Sequence, residues 1–187
     1  ISACEKGGQW EMALELFDSM EGRGLIPDAI SYSAAMSACE KGGLWEKALE
    51  LLGTMGQNGV APDALNLNAA IEAFGKNRQW EKALELLDSA EKSFGLRPNL
   101  INFNSAIGAC ARHGEYKKTL ELLGLMESRG VKPDLTTFNY VFDVCEKHGQ
   151  WYRILLLLES MKRLRVEPGT FILCAVMASC RGDDRYF

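Results

Sequence analysis

Five cations recur at nearly constant intervals in this chain: Lys6, Lys41, Lys76, Arg112 and Lys147 follow one another at 35, 35, 36 and 35 residues. Positive charge at a fixed pitch suits the phosphates of a nucleic-acid backbone, which also recur at regular intervals. A cation in the last turn of a helix complements the helix dipole as well, so both roles are open here. Cysteine follows the same beat at Cys4, Cys39, Cys110, Cys145 and Cys180, with Phe74 in the remaining place. The chain has no Cys-x-x-Cys pair, and His113 and His148 fall in hairpin turns away from the thiols. Units packed about 8–10 Å apart would also hold such thiols beyond disulfide reach. Buried, reduced thiols are therefore expected, not a disulfide framework or a metal site. A Gly-Lys-Ser/Thr phosphate loop, the His-x-Glu and Pro-Cys-x-x-Cys deaminase pattern and converging carboxylates are all missing from the sequence. No enzyme, no cofactor and no small-molecule substrate are expected.

The elements that must carry these residues repeat too. Pro27, Pro62, Pro98, Pro133 and Pro168 keep the same period, as do Trp10, Trp45, Trp80, Tyr116 and Trp151, and Met20, Met55, Met126 and Met161. A period in the thirties denotes stacked supersecondary units. In residues 29–63, Ile30 to Lys41 reads as a first helix, with Tyr32, Ala35, Met36 and Cys39 apolar. Gly42 and Gly43 break it, and Leu44 to Gln57 reads as a second helix with Ala48, Leu49, Leu51, Leu52 and Met55 on one face. Gly59 and Pro62 end that helix, and Asp63 is placed to cap the next one. Short connections make such helices antiparallel hairpins. The expected fold is all-α, a solenoid of stacked antiparallel helix-turn-helix repeats of about 35 residues forming one domain over 1–187. Its units are 1–28 (partial), 29–63, 64–99, 100–134, 135–169 and 170–187 (partial), with one extra residue near Ser93 and Phe94. Because Ile1 already lies inside a repeat, a longer parent array is expected.

Composition bears on partners. Hydrophobic residues make up 47% of the chain and its net charge is −4. No apolar run approaches membrane-spanning length, so no membrane partner is expected. Mild acidity alone argues against nucleic acid. Much of the acid, however, falls on second helices (Glu11, Glu15, Glu46, Glu50, Glu81, Glu85, Glu121), whereas the cation row closes the first helices. The aromatic row opens each second helix and reads as inter-helix packing, with base stacking as the alternative. The leucine row (Leu14, Leu49, Leu84, Leu120, Leu155) reads as core.

Segments such as ISYSAAMSACEKGGLWEKALELLGTMGQNGVAPD and INFNSAIGACARHGEYKKTLELLGLMESRGVKPD resemble pentatricopeptide repeats. The markers are a Tyr/Phe-Asn/Ser pair early in the first helix, a Lys/Arg before the Gly turn, Ala-Leu-Glu-Leu-Leu, a Met, and Gly-Val-x-Pro-Asp. The Trp, Leu-Gly and Tyr pattern of a tetratricopeptide first helix is absent. The resemblance covers essentially the whole chain and implies a right-handed α-solenoid that binds single-stranded RNA one base per repeat.

By that resemblance the fifth and last residues of a repeat read a base, and the second wedges between bases. The reading pairs are then Ser33 with Asp63, Asn68 with Asn99, Asn104 with Asp134, and Asn139 with Gly169, which carries no side chain. The wedges are Ile30, Leu65, Ile101 and Thr136. Asp28 survives alone in the first unit, and Cys174 occupies the reading position of the last. The resemblance implies weak G for the first pair, a pyrimidine for the second and U for the third. Work on RNA processing, stability or translation in mitochondria or chloroplasts is implied the same way. Two alternatives stay open: the Asn and Asp residues as helix and loop caps, and a protein-binding scaffold within a larger assembly such as a ribosome, with other proteins as partners.

Overall fold

The computed structural model describes residues 1, 4 and 7–181. Lys6 lies outside them, and the side chains of Trp151 and Cys180 are likewise not described. Among the described residues ten α-helices follow in order: α1 (Trp10–Gly22), α2 (Ala29–Gly42), α3 (Trp45–Gln57), α4 (Ala64–Lys76), α5 (Trp80–Phe94), α6 (Leu100–Arg112), α7 (Tyr116–Ser128), α8 (Leu135–Lys147), α9 (Trp151–Leu164) and α10 (Thr170–Arg181). The chain divides into two compact units, Ile1–Ala109 and Cys110–Phe187. In the first, α2 packs against α1, α3 and α4, while α4 also meets α3 and α5. In the second, α8 packs against α7, α9 and α10. Even-numbered helices are thus the first helices of repeats, and α2, α4 and α8 are each flanked by second helices and by the first helix of a neighbour.

Start and stop signals account for the boundaries. The prolines hold the chain extended, and the next residue caps the first helix: Asp28 (φ −93°, ψ 176°), Asp63 (−120°, 179°) and Asp134 (−113°, −176°) each accept backbone N–H groups of the first turn. Asp63 with Asn66, and Asp134 with Thr137, form capping boxes. The second helix starts one residue later than the sequence suggests, at Trp45, with Leu44 as a cap that makes no side-chain bond. Gly43 takes the left-handed conformation (φ 65°) that closes α2, its N–H reaching the Cys39 and Glu40 carbonyls. The extra residue of the third repeat is absorbed by α5, which runs to Phe94 and 15 residues, where α3 and α7 have 13.

The core is built from one face of each helix. Tyr32, Leu67, Phe103 and Phe138 fill the fourth position of the first helices, with Ala35, Ala38, Ala70, Ala73, Ala106 and Ala109 behind them. From second helices come Ala48, Leu51, Leu52 and Met55, with their counterparts Ala83, Leu86, Leu87 and Ala90. The leucine row departs from expectation. Only Leu14 is buried; Leu84 and Leu120 are half-buried, and Leu49 and Leu155 are 37% and 46% exposed. In α3 and α5 the helical turn carries the alanine before the leucine (Ala48, Ala83), and the leucines two and three places after it (Leu51 and Leu52, Leu86 and Leu87), to the centre of the buried stripe. The leucine between them is left at its edge. Aromatic packing is as expected where it is described. Trp45 stacks on Phe74 at 5.5 Å between ring centroids, and the Lys82 ammonium sits 3.8 Å from the Trp45 ring.

Cys39, Cys110 and Cys145 are buried free thiols; Cys174 is exposed. Burial pushes the Cys39 thiol up to about 12 and raises Cys145 as well, and the thiolate is the nucleophile. Iodoacetamide at pH 8 is therefore expected to alkylate Cys174 first and to leave Cys39 and Cys145 until the chain unfolds, as peptide mass spectrometry will read. Backbone strain supplies a second test. Gly59 also has positive φ, 71°, but open space around it, whereas a Cβ at Gly43 would lie 2.9 Å from Asn77 Nδ2. Gly59→Ala is expected to cost about 1–2 kcal/mol and Gly43→Ala more, measured as lowered urea midpoints.

Candidate nucleic-acid interface

The second, fifth, ninth and thirteenth residues of a repeat fall along one side of its first helix, three or four places apart. In α2 these are Ile30, Ser33, Ser37 and Lys41; in α4, Leu65, Asn68, Glu72 and Lys76. In α6 they are Ile101, Asn104, Gly108 and Arg112; in α8, Thr136, Asn139, Asp143 and Lys147. The fourth residue of each helix points into the core, so the second must point out. Ile30 is 72% exposed, Leu65 64% and Ile101 51%, and Thr136 is exposed too. Aliphatic side chains laid bare at the start of successive helices gain nothing from folding. One residue-turn further, Ser33, Asn68, Asn104 and Asn139 are half-buried, their polar ends at the edge of the packed core.

The last residues of the repeats hold the next helix in place. Asp63 Oδ1 accepts from the Leu65 and Asn66 N–H groups at 2.9 Å each. Asn99 Oδ1 does the same for Ile101 and Asn102 at 3.0 and 3.2 Å. Asp134 Oδ1 takes Thr137 N–H at 2.9 Å. Asp28 accepts both the N–H and the hydroxyl of Ser31, which hold its carboxyl below the ordinary value of 3.8. A carboxyl lowered by folding contributes stability above its ordinary value and loses it as pH falls through the lowered one, so this cap weakens only in strong acid. Capping thus explains Asp28, Asp63, Asn99 and Asp134. It does not explain Asn68, Asn104 or Asn139, which lie in the second turn of their helices.

Neighbouring repeats are tied together along the same side. Asn102 Nδ2 donates to the Ala64 carbonyl at 2.9 Å, and the Ser105 hydroxyl to Asn68 Oδ1 at 2.7 Å. Asn66 Nδ2 approaches Ser33 Oγ at 3.4 Å. At the far end, Lys76 Nζ donates to the Glu40 carbonyl at 2.6 Å, and Asn77 Nδ2 to that of Gly43. Lys76 therefore serves the C-terminus of the preceding repeat's helix, not only its own. Lys147 makes a 2.7 Å ion pair with Asp143 on its own helix. The spacing of the cations hides this partner, because the ninth residue varies in type between repeats. Lys41 and Arg112 are exposed. On second helices the acids are exposed as expected, several of them spoken for: Lys47 bridges Asp18 at 3.2 Å and Glu50 at 3.3 Å, and Lys118 bridges Glu121 at 2.7 Å.

Among the described residues no group of His, Cys, Asp and Glu is arranged to hold a metal ion, and no helix is long and apolar enough to cross a membrane. Along α2, α4, α6 and α8 the site offers an exposed aliphatic or threonine, a half-buried hydroxyl or amide, and a cation in sequence.

Three family models match the chain: a pentatricopeptide repeat domain over residues 85–148, a PPR repeat family over 1–41, and a PPR repeat over 30–60, 67–93 and 136–166. Among solved structures, the chain is similar to the maize pentatricopeptide repeat protein PPR10, with 26% identity and a TM-score of 0.74 over 97% of this chain; it spans 28% of that protein's length. PPR10 in complex with an 18-nt psaJ RNA element aligns at 20% identity and TM-score 0.76, covering 97% of this chain and 27% of that one. The PPR domain of Arabidopsis thaliana protein-only RNase P 1, in complex with tRNA, aligns at 17% identity and TM-score 0.79 over 96% of this chain and 94% of that one. Among curated proteins none matches.

Because Asp63 holds two backbone donors of α4, Asp63→Ala is expected to lower stability by about 1 kcal/mol, and Asp63→Asn by less. Chemical denaturation of the three proteins measures both.

Proposed function

The chain belongs to the pentatricopeptide repeat family, and from that premise we propose that it binds single-stranded RNA, one base per repeat, through the exposed side of its first helices. The observation that carries this reading is the pairing, three residues apart on each of these helices, of an exposed second residue with a half-buried polar fifth: Ile30 with Ser33, Leu65 with Asn68, Ile101 with Asn104, and Thr136 with Asn139. An aliphatic side chain that folding leaves in water can lie against the face of an unpaired base, and every base has such a face. The neighbouring amide or hydroxyl donates to or accepts from the base edge. Asp63, Asn99 and Asp134 each use Oδ1 for capping, and this reading assigns each to the same base as the fifth residue of its repeat. Lys41 and Arg112 lie toward the other end of their helices, where cations neutralise the backbone between bases. Stacked bases contribute on the order of 1–3 kcal/mol each, so the few readers here give modest affinity. Solved relatives with RNA bound, maize PPR10 and the RNase P 1 domain, support this class of ligand.

The function we propose is that of an adaptor which marks, protects or exposes a transcript, the chemistry of any processing step lying elsewhere. By the resemblance to the family we propose mitochondria or chloroplasts as the setting of this work.

The test separates reading from positioning. Asn104→Ala is expected to relax preference at one base and leave the others unchanged. Lys41→Ala with Arg112→Ala is expected to weaken binding to every sequence and to flatten the salt dependence by about 1.4 in log–log slope, about 0.7 for each cation on a single strand. Filter binding of a randomised single-stranded RNA pool at several salt concentrations reads both. Variants that behave alike on every RNA would refute the assignment, and binding insensitive to salt and sequence would turn the same face over to a protein partner.

A further inference from the structure

The Asn68 amide has one end fixed. The Ser105 hydroxyl, from the next repeat, donates to Asn68 Oδ1 at 2.7 Å. Ser105 is 8% exposed, its hydroxyl packed between α4 and α6. A serine within a helix ordinarily bonds back to a carbonyl of its own preceding turn; this one reaches across to a neighbouring helix instead. An asparagine amide left to itself presents carbonyl or NH2 to a ligand with equal ease, since half a turn exchanges them. With Oδ1 occupied, Asn68 presents Nδ2 and its two hydrogens. Asn99, its partner in the same repeat, has Oδ1 engaged by the Ile101 and Asn102 N–H groups and likewise presents Nδ2.

We propose that Ser105 is a positioning residue for Asn68: it selects the orientation of the amide, so that what one repeat reads is set by a hydroxyl belonging to the next. The inference rests on the RNA-reading role given to Asn68 above. Its consequence is that the Asn68–Asn99 pair meets a base edge with donors alone, and the base must supply acceptors. The repeats of Ser33 and Asn139 lack the device. The residues equivalent to Ser105 that follow Ser33 and Asn139 are Ala69 and Ala175, which carry no hydroxyl. Asn139 Oδ1 is buried with no hydrogen-bond partner among the described residues, the state an unanchored amide of this kind is left in.

Three variants of the whole chain test this: Asn68→Ala, Ser105→Ala and Ser105→Thr. For each, base preference at the position opposite the second full repeat is measured by selection from a randomised RNA pool, with thermal unfolding followed alongside. The intact chain is expected to favour pyrimidine at that position, and Asn68→Ala to abolish the preference. Ser105→Ala is expected to reduce it about threefold to tenfold, the worth of one hydrogen bond, at that base alone. Ser105→Thr, which keeps the hydroxyl, is expected to restore it. Nitrogen relaxation of the RNA-free chain should show the Asn68 side-chain NH2 group rigid in the intact protein and in Ser105→Thr, and of lower order in Ser105→Ala. If Asn68→Ala removes the preference while Ser105→Ala leaves it and the NMR signals unchanged, the positioning role is wrong though the reading stands. If Asn68→Ala changes nothing, the reading fails and the positioning role falls with it.

Discussion

Close approach of neighbouring first helices is the constraint on which the rest depends. Each of α2, α4 and α6 buries a set of alanines: Ala34, Ala35 and Ala38, then Ala69, Ala70 and Ala73, then Ala106 and Ala109. Small side chains let backbones come near, so short polar groups reach from one repeat to the next. Asn102 reaches the Ala64 carbonyl, Lys76 the Glu40 carbonyl, Asn77 the Gly43 carbonyl and Ser105 the Asn68 amide. With leucines in those places the helices would stand further apart and these bonds would not close. The large core residues sit to one side of this seam, at Tyr32, Leu67, Phe103 and Phe138, and supply the apolar burial the alanines cannot.

This division of labour leaves the opposite side of each first helix with little structural work. The second residue is spent on nothing the fold requires, and the fifth is needed only in part. A surface freed from packing in every repeat can vary without unfolding the chain, which is the physical condition for a modular reading surface. The caps show the same economy. One carboxylate oxygen or one amide oxygen is enough to hold the first turn, so a residue fixed for folding still has polar atoms to offer a ligand.

The cation row shows how one position accumulates roles. At the last turn of a helix a positive charge is favourable in any case. Lys76 adds a bond to the preceding helix and Lys147 an ion pair within its own. A charge already engaged at exposed sites is held weakly and can exchange its partner for a phosphate at small cost.

The residue spacing by itself determined a great deal. Period, helix pairs, the Pro-Asp entry, the left-handed glycine at the hairpin and the buried thiols all follow from local backbone preference and helical periodicity, which act within a few residues. Tertiary structure decided the rest. Leu49 and Leu155 sit at the rim although Leu14, in the same row, is buried, so helical spacing alone does not fix which flank of an apolar stripe is covered. The partners of Lys76, Asn77 and Asn68 lie 34 to 37 residues away, and no rule of local spacing relates them. Those contacts exist only once two helices have come within reach of a single hydrogen bond.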